Sequence, residues 1–260
     1  MTKLFDLTGK GAVVVGGAGG IGQAIAQGLA EAGAKVLISS RKEEALKRAQ
    51  AEIREKTGLE VCWFAGDASV EAEVEKLVQS AVEQLGGVDI LVNAQGFNKK
   101  FPGTEFPTDI WDQMFQTNVT SMMLTCKHFG KLMKENGGHG KIINLSSVRG
   151  IRAVGNGGAG NVGYCATKGA VDMLTRAYAS DLRPGIQVNA IGPTITYTPM
   201  MVGILPDDPE ERNKKAAAMP AMRIGTPEDC VGPAIFLASA ASDFVTGQIL
   251  YADGGLTAIG

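Results

Sequence analysis

Short apolar runs rich in valine and isoleucine alternate along the chain with longer segments in which apolar residues recur every three or four positions. The first pattern predicts buried parallel strands and the second predicts amphipathic helices. Strands are predicted at residues 13–15, 35–39, 60–64, 88–92, 141–145, 186–191 and 249–252. Helices are predicted at residues 21–32, 42–56, 70–84, 108–134 and 164–182. Repeated strand–helix units of this length predict an α/β fold, a single doubly wound Rossmann-type domain over residues 1–260 with a seven-stranded parallel sheet and helices on both faces.

The first apolar run ends in a glycine-rich turn that leads directly into a helix. Gly16, Gly20 and Gly22 lack a Cβ, so backbone can approach a pyrophosphate and the helix can pack close to the strand. The N-terminus of that helix, near Ile21, offers free N–H groups to phosphate oxygens. The pattern predicts a dinucleotide site, although a connector that merely needs glycine would have the same sequence.

The residues that follow the other predicted strands support this interpretation. In open parallel sheets, ligands bind at the carboxyl ends of the strands. The residues at these ends are polar or small: Gly16, Ser40, Arg41, Asp67, Asn93, Ser147 and the segment 193–198. Agreement across six turns favours a bound cofactor over neutral connectors.

The end of the second strand bears on the choice between NAD and NADP. An acidic residue there would repel a 2′-phosphate, but the chain has Ser40 followed by Arg41, whose planar, permanently charged guanidinium suits phosphate. We therefore expect NADP(H) to be favoured over NAD(H). Arg41 would otherwise be a solvated residue of a basic helix face. Asp67 is placed to accept from the adenine amino group, or to cap the segment that begins at Val70, for which Ser69 is better placed.

Tyr164 and Lys168 lie four residues apart, which puts them on one face of a helix. A tyrosine is too weak an acid to act as a base near neutral pH, and a nearby ammonium lowers its pKa. Tyr164 would then be the general acid in reduction and the general base in oxidation. Ser147 would donate a hydrogen bond to the substrate oxygen, while a cofactor carries the hydride. The spacing alone is common by chance.

These motifs together resemble the short-chain dehydrogenase/reductase family over essentially the whole chain. The glycine motif matches at Gly16, Gly20, Ile21 and Gly22, and the segments 223–229, 245–248 and 253–255 are also similar to the family. The resemblance implies a catalytic role for Ser147, Tyr164 and Lys168, and for Asn118, which in the family holds a water that links the lysine to solvent. Asn118 would otherwise be a polar residue in mid-helix bonded to nearby backbone.

The resemblance extends the expected cofactor site. The predicted set is Gly16, Gly20, Ile21, Gly22, Ser40, Arg41, Asp67, Ala68, Asn93, Ala94, Gly96, Tyr164, Lys168, Pro193, Thr196 and Thr198. Thr198 matches a threonine that contacts the nicotinamide carboxamide. Departures from the family pattern are Val15 and Gly19 in the first turn, Ala94 and Gln95 after the fourth strand, and Thr194 after Pro193. None removes a catalytic group, but they could tune the affinity for the cofactor.

Local residues give an expectation for the substrate. Asn98, Lys99, Arg149 and Met200 are expected to contact it, and Arg152 adds a further cation near Ser147. Such cations suit an anionic substrate, although they would also suit a solvated loop. The insert 155–163 is polar and rich in glycine, and we expect it to be flexible. Residues 199–222 are expected to form a mobile helical flap lined by methionines. The loop after the fourth strand and the C-terminus resemble gluconate 5-dehydrogenase-like sugar-acid enzymes, which implies a keto-sugar, polyol or sugar acid.

Composition excludes several other classes. A net charge of −2 gives no support for nucleic acid or an anionic membrane as partner, and no run of about 18 apolar residues is present. The four cysteines show no pairing or metal-ligand spacing, and with two histidines we expect no metal, free thiols and a cytoplasmic location. The resemblance implies a homotetramer assembled through the helices at 108–134 and 164–182. A 3-oxoacyl-[acyl-carrier-protein] reductase remains an alternative, and a non-catalytic cofactor-binding sensor a remote one.

Overall fold

Seven parallel strands form one sheet in the computed structural model, which describes residues 3–153, 161–198, 201–202, 205–217 and 219–259. The strands are β1 Gly11–Val15, β2 Lys35–Ser40, β3 Cys62–Ala65, β4 Ile90–Asn93, β5 Gly140–Leu145, β6 Ile186–Pro193 and β7 Ile249–Ala252. Their order across the sheet is β3-β2-β1-β4-β5-β6-β7. The predicted sheet and the doubly wound fold are confirmed, with strand bounds that differ by a few residues.

Helices cover both faces of this sheet. They are α1 Gly20–Glu31, α2 Glu43–Thr57, α3 Glu71–Leu85, α4 Thr108–Phe115, α5 Ser121–Glu135, α6 Val162–Asp181, α7 Pro209–Lys214 and α8 Val231–Ala238. The sequence did not predict α8, because it is short, contains a glycine and a proline, and is apolar on every face. None of the described helices is long and apolar enough to span a membrane.

The helix predicted over 108–134 is interrupted in its middle. A π-turn at Gln116–Thr120 separates α4 from α5 and carries Asn118. A π-turn inserts an extra residue in the helical ladder and is frequent at functional sites. It does not alter the apolar period enough for the sequence to reveal it.

Two hydrophobic cores lie on opposite faces of the sheet, and the alternation of side chains along the strands explains both. Val14 and Ile38 face a core shared with α1, α2 and α8, while Val13 and Leu37 face a core shared with α3 and α5. All four side chains are at most 1% exposed. Full burial of one such side chain contributes roughly 1.5–3 kcal/mol.

A smaller core fixes part of the segment predicted as a flap. Leu205, Ala216, Met219 and Ile224 are buried together and pack against Leu256 near the C-terminus. The segment includes α7, where Asp208 accepts a hydrogen bond from the Glu211 N–H at 2.9 Å. Among the described residues of this segment, α7 is the one α-helix, which is less helix than the sequence suggested.

Candidate functional site

Three of the predicted catalytic side chains meet where β5 ends and α6 begins. Tyr164 and Lys168 lie on successive turns of α6, and the Lys168 Nζ is 5.6 Å from the centroid of the Tyr164 ring. Lys168 Nζ donates to the carbonyl oxygen of Leu145, the last residue of β5, at 2.6 Å. The Ser147 hydroxyl lies beside the phenol of Tyr164 and donates to the Pro193 carbonyl at 3.3 Å. The strand end thus brings the hydroxyl, phenol and ammonium together.

Asn118 joins this group from the π-turn. Its side chain exchanges two hydrogen bonds with the backbone of Phe97, accepting from the N–H at 2.7 Å and donating to the carbonyl at 2.9 Å. It also donates to the Thr167 hydroxyl at 3.0 Å. These bonds cross to other segments, so the interpretation of Asn118 as a residue bonded to its own local backbone is wrong. Gly96 lies alongside, since a Cβ there would be 3.9 Å from Asn118 Oδ1 and 4.0 Å from Lys168 Nζ.

Burial dominates the ionisation of the tyrosine and the lysine. It raises the pKa of Tyr164 to about 12, against a smaller lowering by the hydrogen bond with Ser147. It lowers the pKa of Lys168 to about 8, opposed by the negative charge of Asp172. The expected lowering of the Tyr164 pKa by Lys168 is not found, because the ammonium is directed at the Leu145 carbonyl and desolvation outweighs it. The protein alone therefore keeps Tyr164 as a neutral proton donor at neutral pH.

The glycine turn after β1 has the shape that a pyrophosphate needs. Gly16 has φ +81° and lies against the backbone of Ala94 and Gln95, so no other residue fits there. A Cβ on Gly19 would meet nothing within 4 Å, which leaves open space beside the turn. The N-terminus of α1 has no side-chain cap and no acidic residue in its first turn. Free N–H groups beside open space fit a dinucleotide phosphate.

Other predicted cofactor residues surround this turn. A Cβ on Gly20 would be 3.5 Å from the Thr198 methyl group, so Thr198 lies over the start of α1. Thr196 pairs with Gly225 in an isolated bridge, and its hydroxyl donates to the Thr194 carbonyl at 3.0 Å. The segment after β6 therefore runs past the glycine turn, as a nicotinamide-contacting segment would.

The end of β2 presents an unpaired cation. Arg41 is exposed and takes part in no ion pair within the described part of the chain. The Ser40 carbonyl accepts from the Gly66 N–H at 3.0 Å, which brings the turn before Asp67 and Ala68 next to the end of β2. The guanidinium is thus available to a phosphate at the edge of the sheet.

Asp67 does not cap α3. Its carboxylate accepts from the Ser69 N–H at 2.9 Å and from the Ser69 hydroxyl at 2.7 Å. The N-cap of α3 is Val70, and no side chain caps it. Both capping interpretations, through Asp67 and through Ser69, are therefore wrong.

The side chain of Asn93 is committed to the interior. It is fully buried, donates to Asn144 Oδ1 at 2.9 Å and accepts from the Thr125 hydroxyl at 2.7 Å. This network ties β4 to β5 and α5. The neighbouring Ala94 has no side-chain amide and cannot contribute to it. The side chain of Asn93 is therefore engaged in the interior, and the prediction of Asn93 as a cofactor residue now rests on its backbone.

The two arginines of the expected cation cluster donate hydrogen bonds to backbone carbonyls. The Arg149 guanidinium donates to the carbonyls of Arg152 and Ala153, at 3.3 and 3.0 Å. The Arg152 guanidinium donates to the carbonyls of Leu256 and Ile259 at the C-terminus. Both groups hold loops together, and the positive charge of Arg149 lowers the pKa of Tyr164, so this cation lies near the site. The contact of Arg149 with a substrate stays a prediction. Asn98 and Lys99 are exposed, whereas Met200 and most of the insert 155–163 lie outside the described residues.

One cluster of ligand-like groups was not expected from the sequence. Glu71, Glu75 and His128 offer ligand atoms within 4.8 Å of one another, on α3 and α5. Lys127 forms an ion pair with Glu71, so the ammonium of Lys127 already supplies a positive charge to this cluster. The cluster therefore links α3 to α5 through the contacts of Glu71 with Lys127 and His128.

Comparisons with known proteins find relatives over nearly the whole chain. Residues 16–257 match the family model described as "Enoyl-(Acyl carrier protein) reductase". The chain is 37% identical over 255 residues to a gluconate 5-dehydrogenase of Gluconobacter oxydans, which covers 98% of this chain and 97% of that protein. It is 34% identical to a 5-keto-D-gluconate 5-reductase of Escherichia coli, covering 98% of each. A crystal structure of a gluconate 5-dehydrogenase from Burkholderia cenocepacia, in complex with NADP and tartrate, superposes with a TM-score of 0.89 at 36% identity and 99% coverage of both chains.

Proposed function

The chain belongs to the short-chain dehydrogenase/reductase family of oxidoreductases, and on that premise we propose that it transfers a hydride between NADP(H) and a secondary alcohol or ketone of a sugar acid, keto-sugar or polyol. The convergence of Ser147, Tyr164 and Lys168 beside a glycine turn shaped for pyrophosphate is the observation that carries this proposal. A protein with only a binding role would have no need of these groups at the strand ends.

The residues divide the proton chemistry between them. NADPH, when bound, supplies the hydride. Ser147 donates a hydrogen bond to the substrate carbonyl, and Tyr164 delivers a proton to the oxygen as negative charge develops there. Burial keeps that proton on Tyr164, since it raises the pKa of the phenol to about 12.

Lys168 and Asn118 support the tyrosine. One donor of the Lys168 ammonium is bonded to the Leu145 carbonyl, which leaves two for hydroxyls of the dinucleotide. Asn118 fixes the loop after β4 beside this ammonium through its paired bonds with Phe97. A water held near Asn118 would return protons from solvent.

The turn residues would hold the dinucleotide along the carboxyl edge of the sheet. Gly16, Gly20, Ile21 and Gly22 would contact the pyrophosphate, and Thr196 and Thr198 the nicotinamide end. Arg41, with Ser40, would pair with the 2′-phosphate, so that NADP(H) is favoured over NAD(H). The NADP in the Burkholderia cenocepacia relative supports this preference.

The substrate class rests on the named relatives and on one exposed cation. Two relatives are named for gluconate or 5-keto-D-gluconate. Lys99, on the loop after β4, is exposed and would attract a carboxylate. Arg149 would serve this site by shaping the loop, since its guanidinium is bonded to backbone.

A homotetramer is part of the same proposal. Met173, on the outer side of α6, is 62% exposed. At the edge strand β7, Leu250 is 39% exposed, and the preceding Phe244 is fully exposed. Apolar groups on α6 and along β7 suit two separate contacts with further copies of the chain.

A panel assay tests the proposed activity. NADPH oxidation, with NADH in parallel, is followed with 5-keto-D-gluconate, neutral keto-sugars and a 3-oxoacyl thioester. We expect the keto-gluconate to give the highest kcat/KM, with NADPH preferred. Turnover of the thioester alone would replace this function by that of a 3-oxoacyl-[acyl-carrier-protein] reductase. Tight NADPH binding without turnover of any carbonyl would favour a cofactor-binding sensor.

A further inference from the structure

A buried carboxylate lies directly behind the candidate catalytic residues. Asp172 follows Lys168 by four residues on α6, as Lys168 follows Tyr164, and it is only 2% exposed. Its Oδ1 accepts a hydrogen bond from the hydroxyl of Ser146, and its Oδ2 has no hydrogen-bond partner among the described residues. An unpaired oxygen on a buried carboxylate costs free energy, so its retention calls for a reason beyond packing.

The surroundings of Asp172 hold it in place. A Cβ on Gly150 would collide with the carboxylate, so the turn after Ser147 packs its backbone against Asp172. Ser146 is itself buried, and its N–H donates to the Ile191 carbonyl at 2.8 Å. The carboxylate thus contacts the residue before Ser147 and the turn after it.

We propose that Asp172 is a positioning residue of the reaction assigned above, and that it acts in two ways. Through Ser146 and the turn at Gly150 it fixes the direction of the Ser147 hydroxyl. Through its negative charge it keeps the buried Lys168 ammonium protonated in the neutral pH range. The proposal rests on the proposed function, because both residues it supports belong to that site.

The charges around the pair agree with this role. On α6, Asp172 and Tyr164 flank Lys168. Burial raises the pKa of Asp172, and the hydrogen bond from Ser146 and the positive charges of Arg176 and Lys168 oppose this by favouring its ionised form. From β7 the Tyr251 phenol lies close to Asp172 and also favours its ionised form. The groups that other elements place near Lys168, the Asn118 side chain and the Leu145 carbonyl, carry no charge. Asp172 is therefore the negative charge that opposes the desolvation of Lys168 within the described part of the chain.

The two effects can be separated by substitution. Asp172→Asn keeps an acceptor for the Ser146 hydroxyl but removes the charge. Ser146→Ala keeps the carboxylate but removes the hydrogen bond. Asp181→Asn, at the exposed end of the same helix, is the matched control because its side chain lies far from Ser146.

The first measurement needs no turnover. In the full chain, the Cε signal of ¹³C-labelled Lys168, assigned by its loss in Lys168→Arg, is titrated by NMR. We expect a midpoint near 8 in the unsubstituted protein and in Asp181→Asn, and a lower midpoint in Asp172→Asn. An unchanged midpoint in Asp172→Asn would overturn the proposal whatever the enzyme's activity proves to be. If Asp172→Asn does not fold, Asp172→Ser serves in the same titration.

The second measurement uses the reduction that gives the highest rate. We expect Asp172→Asn to lose rate as the pH rises from 6 to 8 more steeply than the unsubstituted enzyme, and to recover near pH 6, where Lys168 is protonated in both. Ser146→Ala should lower kcat about tenfold at every pH, because the Ser147 hydroxyl is less well directed. Equal losses at all pH values in Asp172→Asn would indicate a merely structural role and contradict the proposal.

Discussion

The Lys168 ammonium donates to the carbonyl oxygen of Leu145 at 2.6 Å, so α6 is tied at this point to the end of β5. Ser147 lies two residues beyond Leu145, and Tyr164 lies one helical turn before Lys168. One hydrogen bond therefore fixes the distance between the strand that carries the serine and the helix that carries the tyrosine. The candidate site is a property of this junction rather than of any single loop.

Removal of the Tyr164 hydroxyl should abolish turnover without loss of cofactor. In Tyr164→Phe the ring remains and only the proton donor is lost, so we expect kcat to fall by about 10³-fold or more while the Kd for NADPH stays within about twofold. Steady-state kinetics and NADPH fluorescence titration measure the two quantities. A kcat above a tenth of the original would show that another group delivers the proton.

Removal of the Ser147 hydroxyl should lower kcat strongly, though less than removal of the Tyr164 hydroxyl. Ser147→Ala removes the donor to the developing oxyanion, and we expect kcat to fall about 10²- to 10³-fold with NADPH binding retained. Ser147→Thr keeps a hydroxyl and is the matched control. If the alanine and threonine variants were equally active, the hydroxyl would have no part in catalysis.

Reversal of the charge after β2 should change the preferred cofactor. Arg41 is exposed and has no ion-pair partner among the residues that the structure describes, so Arg41→Asp should leave the fold unchanged and repel the 2′-phosphate. We expect the ratio of kcat/KM for NADPH to that for NADH to fall by about 100-fold, equivalent to about 2.7 kcal/mol. Arg48→Asp, on the exposed side of α2, is the control. An unchanged ratio would refute our interpretation of the end of β2.

The buried polar network at Asn93 should be needed for stability rather than for binding. Asn93→Ala removes the amide that donates to Asn144 Oδ1 and leaves that buried oxygen only the Cys126 thiol at 3.7 Å, while the Thr125 hydroxyl keeps its backbone carbonyls. Loss of a partner from a buried polar group costs about 1–3 kcal/mol. We expect the free energy of unfolding in urea to fall by about 2 kcal/mol or more, and Asn98→Ala, an exposed control, to leave it unchanged. Equal stability of both variants would contradict the network.

Lys168 should make stability depend on pH in a definite direction. Its pKa is about 8 in the folded protein against an ordinary value of 10.5, so between these values the unfolded state binds more protons and stability rises with pH. Lys168→Met removes the titrating ammonium and with it this dependence of stability on pH. We therefore expect the variant's advantage in unfolding free energy to be larger at pH 7 than at pH 10. A difference independent of pH would mean that Lys168 is not desolvated.

The sequence predicts the sheet well because strand-length apolar runs and glycine turns are local signals. All seven strands overlap their predicted positions, and Ser147, Tyr164, Lys168 and Asn118 are brought together as the motifs suggested. The sequence did not predict the π-turn at Gln116–Thr120, because this turn barely shifts the period of the apolar residues.

The directions of side chains could not be predicted in the same way. Arg149 and Arg152 looked like free cations, yet their guanidinium groups are bonded to backbone carbonyls, some from the distant C-terminus. Asp172 was missed although it continues the four-residue spacing of Tyr164 and Lys168. Its contact with Ser146 depends on how α6 packs against β5, which no local pattern encodes.

Transfer of a deuteride tests the central claim most directly. NADPH deuterated at the transferred position of its nicotinamide is incubated with the full-length protein and 5-keto-D-gluconate, and the product is analysed by mass spectrometry and NMR. We expect a gluconate-type product with one deuterium on the new carbinol carbon, and no product with Tyr164→Phe. A product that carries no deuterium would refute hydride transfer from NADPH. The absence of any product from 5-keto-D-gluconate and from the neutral keto-sugars of the panel would refute the proposed activity.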